Sequence, residues 1–303
     1  MSLIVLMSTY NGERYLRKQL DSLLNQTLRP DEILIRDDGS KDDTMAILEE
    51  YASLYPFIRY YNGENKGPAR SFWELICRCD KADYYALCDQ DDVWFPEKLA
   101  VAVKNLEKEK SEIPLLYCSR YTLTDKDLVA LNSDVSSLYG FTDFPHALLY
   151  HTAPGCTFVY NQAAREKIEK YDPEKDYCII HDAIIHKVVA MFGKVILDDS
   201  SHMYYRQHGN NEIGMDANKV RVFIGRVQRF ANGKIRNYRS ETAKSLLKVY
   251  GDEIDEDKRE LLQIVADYRS DVKLKRKLLN DDRFRSHTIN DLFFGILVIV
   301  NYI

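Results

Sequence analysis

Three carboxylates fall within four residues in Cys88-Asp89-Gln90-Asp91-Asp92-Val93-Trp94, directly after the apolar run Tyr84-Tyr85-Ala86-Leu87. That run has the length and composition of a buried strand, so the carboxylates stand at its carboxyl end. Open α/β sheets bind ligands in the crevice beyond such strand ends. Acidic oxygens crowded there repel one another unless a hard divalent cation lies between them. Magnesium is commonly held by one or two carboxylates together with the phosphates of a substrate, so Asp89-Gln90-Asp91 reads as half of a cation and diphosphate site. The plainer reading is a solvated acidic turn capping the helix that starts near Pro96-Glu97-Lys98-Leu99.

A site of this kind needs a sheet to carry it, and the first part of the chain alternates accordingly. Leu3–Met7 reads as a strand, followed by Leu16, Leu20, Leu23 and Leu24 at helical spacing. Ile33–Ile35 is the next strand. Asp42-Asp43-Thr44 opens a helix with acids in its first turn, where the macrodipole favours them. Ile58–Tyr61, a helix over Ala69–Ile76 and the strand Tyr84–Cys88 complete a βαβαβαβ order, hence a mostly parallel sheet. Polar loops follow the first two strands: Ser8-Thr9-Tyr10-Asn11-Gly12 and Arg36-Asp37-Asp38-Gly39-Ser40. Each is also ordinary turn chemistry, since Asn-Gly and Asp-Gly are favoured turn dipeptides. No G-x-G-x-x-G follows the first strand and no P-loop pattern occurs, which removes the main support for dinucleotide-dehydrogenase and P-loop readings.

With 303 residues, 45% apolar and 29% charged, the chain has the composition of a soluble globular protein with one large domain and an appendage. The start carries no basic segment ahead of its short apolar run, so a cytosolic protein is expected. Cys77, Cys79, Cys88, Cys118, Cys156 and Cys178 form no C-x-x-C pair and mostly lie in apolar runs; reduced thiols are expected, with no zinc knuckle and no disulfide framework. Residues 1–215 hold 24 Lys and Arg against 34 Asp and Glu, whereas residues 216–303 hold 18 against 13. This shift places a boundary near Gly214, between a main domain (1–215) and an extension (216–303) expected to pack on it. No nucleic-acid partner is expected.

The ordered set Ser8-Thr9-Tyr10-Asn11, Asp37-Asp38-Gly39-Ser40-x-Asp42-x-Thr44, Asn65-Lys66-Gly67-Pro68-Ala69-Arg70 and Asp89-Gln90-Asp91-Asp92-x-Trp94 resembles the inverting family 2 glycosyltransferases of GT-A fold. Within them it is most similar to bacterial rhamnosyltransferase-type enzymes of polysaccharide assembly, over roughly residues 1–210. The resemblance implies an α/β GT-A fold, a nucleotide-diphospho-sugar donor such as dTDP-β-L-rhamnose, Mn²⁺ or Mg²⁺ as cofactor, and a glycan or lipid-linked glycan acceptor. It implies that Asp38, with Thr9 and Asn11, contacts the nucleobase, that Asp89 faces the ribose or sugar, and that Asp91 binds the metal. His208 falls where the family places a late histidine of the metal shell. Arg70 is a further counter-charge for the donor or an ordinary surface arginine. Asp182, in His181-Asp182-Ala183-Ile184-Ile185-His186, matches the general base that an inverting displacement needs; a helix N-cap is the competing reading. Gly155 and His181 fall on the acceptor side, and Trp94 is either an apolar wall for a sugar or a staple for the helix after it. A phosphohydrolase reading of His181-Asp182 lacks further ligands. The chain lacks the Q-x-x-R-W pattern of processive synthases, which implies one or very few sugars added. The alternatives are the same fold acting on UDP-glucose, UDP-galactose or UDP-N-acetylhexosamines, and a non-catalytic sugar-nucleotide-binding scaffold.

The remaining chain reads as helices over Val220–Phe230, Ser245–Tyr250 and a long Asp257–Leu279 segment carrying Lys273, Lys275, Arg276 and Lys277. The closing apolar stretch Leu292–Val300 is too short to span a bilayer. Basic and apolar surface together suit peripheral attachment to an anionic membrane at its inner face, and a helical lid packed on a neighbour or in a homodimer suits them equally.

Overall fold

A computed structural model describes residues 1–131, 142–150, 153–208, 237–285 and 289–303. The helix expected over Val220–Phe230 and the boundary near Gly214 lie outside them. Strands β1 (Leu3–Thr9), β2 (Glu32–Asp37), β3 (Ile58–Asn62) and β4 (Tyr84–Asp89) alternate with helices α1 (Leu16–Leu24), α2 (Thr44–Leu54) and α3 (Pro68–Arg78). After β4 come the two-residue β5 (Val93–Trp94), α4 (Lys98–Leu106), β6 (Leu115–Thr124), α5 (Phe144–Leu149), a 3₁₀ turn at Gly155–Thr157, β7 (Val159–Asn161), α6 (Gln162–Ile168), α7 (His181–Phe192) and β8 (Lys194–Arg206).

These strands form one sheet in the order β3-β2-β1-β4-β7-β6-β8-β5. The first four pair in parallel, with β1 between β2 and β4. Beyond β4 the sheet is mixed: β7 runs antiparallel to β4 and β6, β8 is parallel to β6, and β5 is antiparallel to β8. The parallel expectation therefore describes the amino-terminal half. Register aligns Thr9 with Asp37 and Ser8 with Asp89, so the carboxyl ends of three adjacent strands deliver the β1, β2 and β4 loops to one edge.

Two apolar layers flank the sheet. One packs α1, α2 and α4 against it through Leu16, Leu20, Ile47, Leu48, Leu99 and Val103. The other combines α3, α5, α6 and α7 with helices α8 (Tyr238–Tyr250), α9 (Glu256–Asp267), α10 (Val272–Asn280) and α11 (Ile289–Ile299), so that Leu246, Tyr250, Leu262 and Val298 share a core with Leu6 and Leu87. The helix expected over Asp257–Leu279 is in fact α9 and α10. A break at 268–271 separates them, and the Asp271 carboxylate caps the second by accepting from Lys273 and Leu274 N–H. α2 begins at Thr44, two residues later than expected, so neither acid stands in its first turn; Asp43 is the N-cap residue, and Asp42 lies outside and accepts from the Thr44 N–H at 3.1 Å. Among the described residues no helix is long and apolar enough to cross a membrane. On α11, Phe294, Leu297 and Val298 are buried while Ile296 and Ile299 are exposed. Lys275 Nζ is tied to the Ile299 carbonyl and Lys277 to Glu260, leaving less of the basic cluster free than its sequence suggests.

Candidate active site

The acidic loop after β4 is held by its neighbours on both sides. Gln90 accepts from the Tyr10 N–H and donates to the Tyr10 carbonyl, both at 2.9 Å, zipping the loop to the one after β1. The Gln90 side chain lies where a Cβ on residue 12 would stand, 2.2 Å away, so Gly12 makes room for that pair. On the other side, the last residues of β8 reach the loop: Arg206 Nε donates to the Asp91 carbonyl at 2.7 Å and the Arg206 N–H to Asp92 Oδ1 at 3.2 Å. His208 Nε2 lies 2.7 Å from Asp91 Oδ2, so the two residues assigned to a metal shell are brought together.

The electrostatics of this loop are those of crowded anions. Burial, then Asp91 and Asp182, push the Asp89 carboxyl up to about 7, and burial, then Asp91 and Asp89, raise Asp92 well above the ordinary carboxylate range. Ligand atoms of Asp89, Asp92 and Cys156 lie within 4.8 Å of one another, and one Asp92 oxygen is buried with no hydrogen-bond partner among the described residues. The donor set fits a hard divalent cation through its carboxylates and the His208 imidazole. The Cys156 thiol, raised well above its usual range by burial, does not suit such an ion. Beneath the loop the fully buried Lys98 donates to the Cys156 carbonyl at 3.1 Å; burial lowers its ammonium to about 8, with Asp92 among the groups that oppose the shift.

Asp182 stands in the first turn of α7 and is 6% exposed. Its carboxylate accepts from the Gly155 N–H at 3.0 Å and the Ala183 N–H at 2.7 Å. Ile180, not Asp182, is the N-cap residue, so the capping alternative does not describe it. A Cβ on Gly155 would approach His181 Nε2 to 2.8 Å, and the His181 ring stacks on Phe72 at 4.3 Å. The Gly155–Thr157 turn thus joins the two halves of the site: Gly155 touches Asp182, and Cys156 faces Asp89 and Asp92. One turn further along α7, the buried Lys187 donates to the Ala183 carbonyl, and burial lowers its ammonium to about 7.

The β1 and β2 residues frame this edge. Thr9 is buried and donates to Asp37, whose carboxylate also accepts from the Gly39 and Ser40 N–H groups. Gly39 takes φ +80 in that turn, a conformation suited to glycine. Both Asp38 oxygens are engaged, by Arg36, by the Lys66 N–H at 2.9 Å and by the Gly67 N–H at 2.8 Å. Asn11 is exposed and accepts from the Lys41 N–H. Arg70 is exposed on α3, with Nε 3.5 Å from Glu174.

Trp94 lies in the core. It is 2% exposed, its N–H bonds Ser22 Oγ, and its ring lies 4.4 Å from Lys98 Nζ within the α1–α4 layer. The ring stands in the core, as a staple for the following helix would. Residues that the sequence reading passed over are Tyr15, Arg36, Lys98, Lys187 and Arg206. Of these, Arg206 lies two residues before His208, and its proximity to a metal-shell candidate was the available signal. A cavity of about 490 Å³ beside Asp143, Phe144 and Lys258 opens at the opposite end of α7 and contains none of the candidate residues.

The model of the family described as Glycosyl transferase family 2 matches residues 4–171. The dTDP-rhamnosyl transferase RfbG of Shigella flexneri is 31% identical over 257 residues, which is 78% of this chain and 82% of that one. Chondroitin synthase of Escherichia coli is 31% identical over 107 residues, 35% of this chain and 17% of that one. Among solved structures, S. aureus TarS 1–349 in complex with UDP-GlcNAc superposes with a TM-score of 0.61 at 18% identity, covering 99% of this chain and 82% of that one. Its complex with UDP gives 0.59 at 17% identity, covering 99% and 80%. The mixed sheet with a helical carboxyl-terminal region is the GT-A fold of these structures. The chain belongs to glycosyl transferase family 2 and is a glycosyltransferase.

Proposed function

We propose that this enzyme transfers L-rhamnose from dTDP-β-L-rhamnose to a glycan acceptor, inverting the anomeric centre and adding one or very few sugars. The observation that carries the reading is the meeting of the Asp89-Asp91-Asp92 loop with Asp182 across the Gly155–Thr157 turn. In the displacement, the acceptor hydroxyl oxygen bonds to the anomeric carbon as the bond from that carbon to the diphosphate oxygen breaks. The electron pair leaves on the nucleotide diphosphate and the hydroxyl proton passes to Asp182. The Gly155 and Ala183 N–H groups fix the orientation of that carboxylate. A divalent cation, Mn²⁺ or Mg²⁺, supplies charge neutralisation for the departing diphosphate when bound. Asp91 and His208 would hold it, with Asp89 turned to the ribose or sugar.

Arg70 is the exposed counter-charge beside the donor, and His181 and Gly155 shape the acceptor side. Asp38 acts on the nucleobase through the frame it maintains between the β2 loop and Lys66-Gly67, with Thr9 and Asn11 alongside. The relative that supports rhamnose is RfbG, similar over most of both chains. A lipid-linked glycan is the acceptor, and α11 with Lys273 and Arg276 brings the enzyme to an anionic inner membrane face. The test is a panel of dTDP-rhamnose, UDP-glucose, UDP-galactose and UDP-N-acetylglucosamine with Mn²⁺, read by thermal shift and by donor turnover. The largest stabilisation and the only rapid turnover are expected with dTDP-rhamnose; preference for a UDP-hexose overturns the donor assignment.

A further inference from the structure

We infer that Arg206 and Tyr15 form a clamp that positions His208 against Asp91. This rests on the reading that Asp91 and His208 hold a divalent cation. Arg206 is the last residue of β8, paired with Thr124 of β6, and only 1% exposed. Its side chain makes two directed bonds to main-chain carbonyls, Nε to Asp91 at 2.7 Å and Nη1 to Lys126 at 2.7 Å, while its own N–H donates to Asp92. The guanidinium lies 4.6 Å from the Tyr15 ring centroid, and that ring stacks on His208 at 4.7 Å with 28° between planes. His208 then closes the circuit on the Asp91 carboxylate.

Three segments far apart in sequence meet here: the start of α1, the acidic loop and the end of β8. The Asp91 carbonyl is held by Arg206, and its carboxylate faces an imidazole that is oriented by a ring stacked under the same guanidinium. Arginine suits this place because its planar fork bonds two carbonyls while its face lies on an aromatic ring; a lysine ammonium does neither in one geometry. Nε and Nη1 are held on protein carbonyls and the face of the guanidinium lies on a ring, so Arg206 acts on the site through Asp91 and His208 as a positioning residue. Partners that orient a ligand to a metal typically matter by roughly 10–100-fold in affinity when removed.

The experiment uses the full chain and Mn²⁺ with dTDP as the probe, following bound Mn²⁺ by electron paramagnetic resonance and unfolding in EDTA for each variant. Arg206→Lys and Tyr15→Leu are expected to weaken Mn²⁺ binding by roughly 10–100-fold, with turnover recovering at saturating Mn²⁺. Tyr15→Phe, which keeps the ring, is expected to bind as the wild type does. Because Tyr15 is only partly buried, the Leu and Phe pair decides the matter even where Arg206→Lys fails to fold. Wild-type Mn²⁺ affinity in a folded Tyr15→Leu protein overturns the clamp. Absence of Mn²⁺ binding by the wild type overturns the cation reading itself, and the clamp with it.

Discussion

Asp89→Asn isolates the cost of crowding carboxylates at the strand edge. Burial and the nearby Asp91 and Asp182 raise the Asp89 carboxyl to about 7, so between its unfolded and folded values the folded chain binds the extra proton. Stability from this group is therefore full at low pH and is lost as pH rises through about 7. At about 1.4 kcal/mol per pH unit, the wild type loses roughly 2 kcal/mol between about pH 5.5 and 8.5 from Asp89 alone, measured against an unfolded carboxyl near 3.9. The residue keeps part of its surface, so roughly 1–2 kcal/mol is the expected size. Asparagine keeps the shape and does not ionise. In EDTA, the stability of Asp89→Asn relative to wild type should rise by that amount across the range, about 2–6 °C in Tm. Adding Mn²⁺ with dTDP near pH 8 should stabilise both proteins, the variant less, because it keeps Asp91 and His208 and loses only the carboxylate turned to the ribose or sugar. A difference between the proteins that is flat with pH in EDTA refutes the argument that like charges and burial strain this loop.

Asp182→Asn should lower turnover by roughly 10²–10⁴-fold while donor affinity measured by calorimetry stays near wild type; loss of donor binding would recast the residue as part of the nucleotide site. Lys187→Met removes a buried ammonium whose titration is lowered to about 7, so the lysine's burial cost sets in as pH falls from about 10 and is fully expressed below about 7. Denaturant unfolding near pH 7 should show the variant roughly 2 kcal/mol more stable, allowing for the lost bond to Ala183 and attraction to Asp182, with the gap closing toward pH 10; equal stability at both pH values refutes it. Binding to anionic liposomes should weaken with salt, since exposed charges are screened within about 10 Å at 0.1 M, and should weaken again in a Lys273→Gln, Arg276→Gln variant. Salt-insensitive binding removes the membrane role.

Where local pattern decides the outcome, the sequence was readable. The four parallel strands and their helices followed from apolar runs and helical spacing, and the acidic loop, Gly155 and Asp182 lie together at the expected edge. The rest depended on pairings between distant segments. Trp94 carries an aromatic ring suited to a sugar or a core, and only the pairing of β5 with β8 turns it inward. Lys98 and Lys187 occupy helical stretches where a lysine ordinarily faces water; their burial comes from the Cys156 turn and from α8. The break between α9 and α10 contains neither glycine nor proline, and Asp271 as a cap was its one local mark. Arg206 and Tyr15 meet only because the end of β8 comes beside the start of α1 in the fold.

The central claim is a single displacement at the anomeric carbon by an acceptor hydroxyl deprotonated by Asp182. Proton NMR of the product formed from dTDP-β-L-rhamnose and a glycan acceptor in Mn²⁺ tests it most directly. An α-linked rhamnoside, made by the wild type and nearly absent with Asp182→Asn, is the expected result. A β-linked product, or an undiminished rate from the Asp182→Asn enzyme, contradicts it.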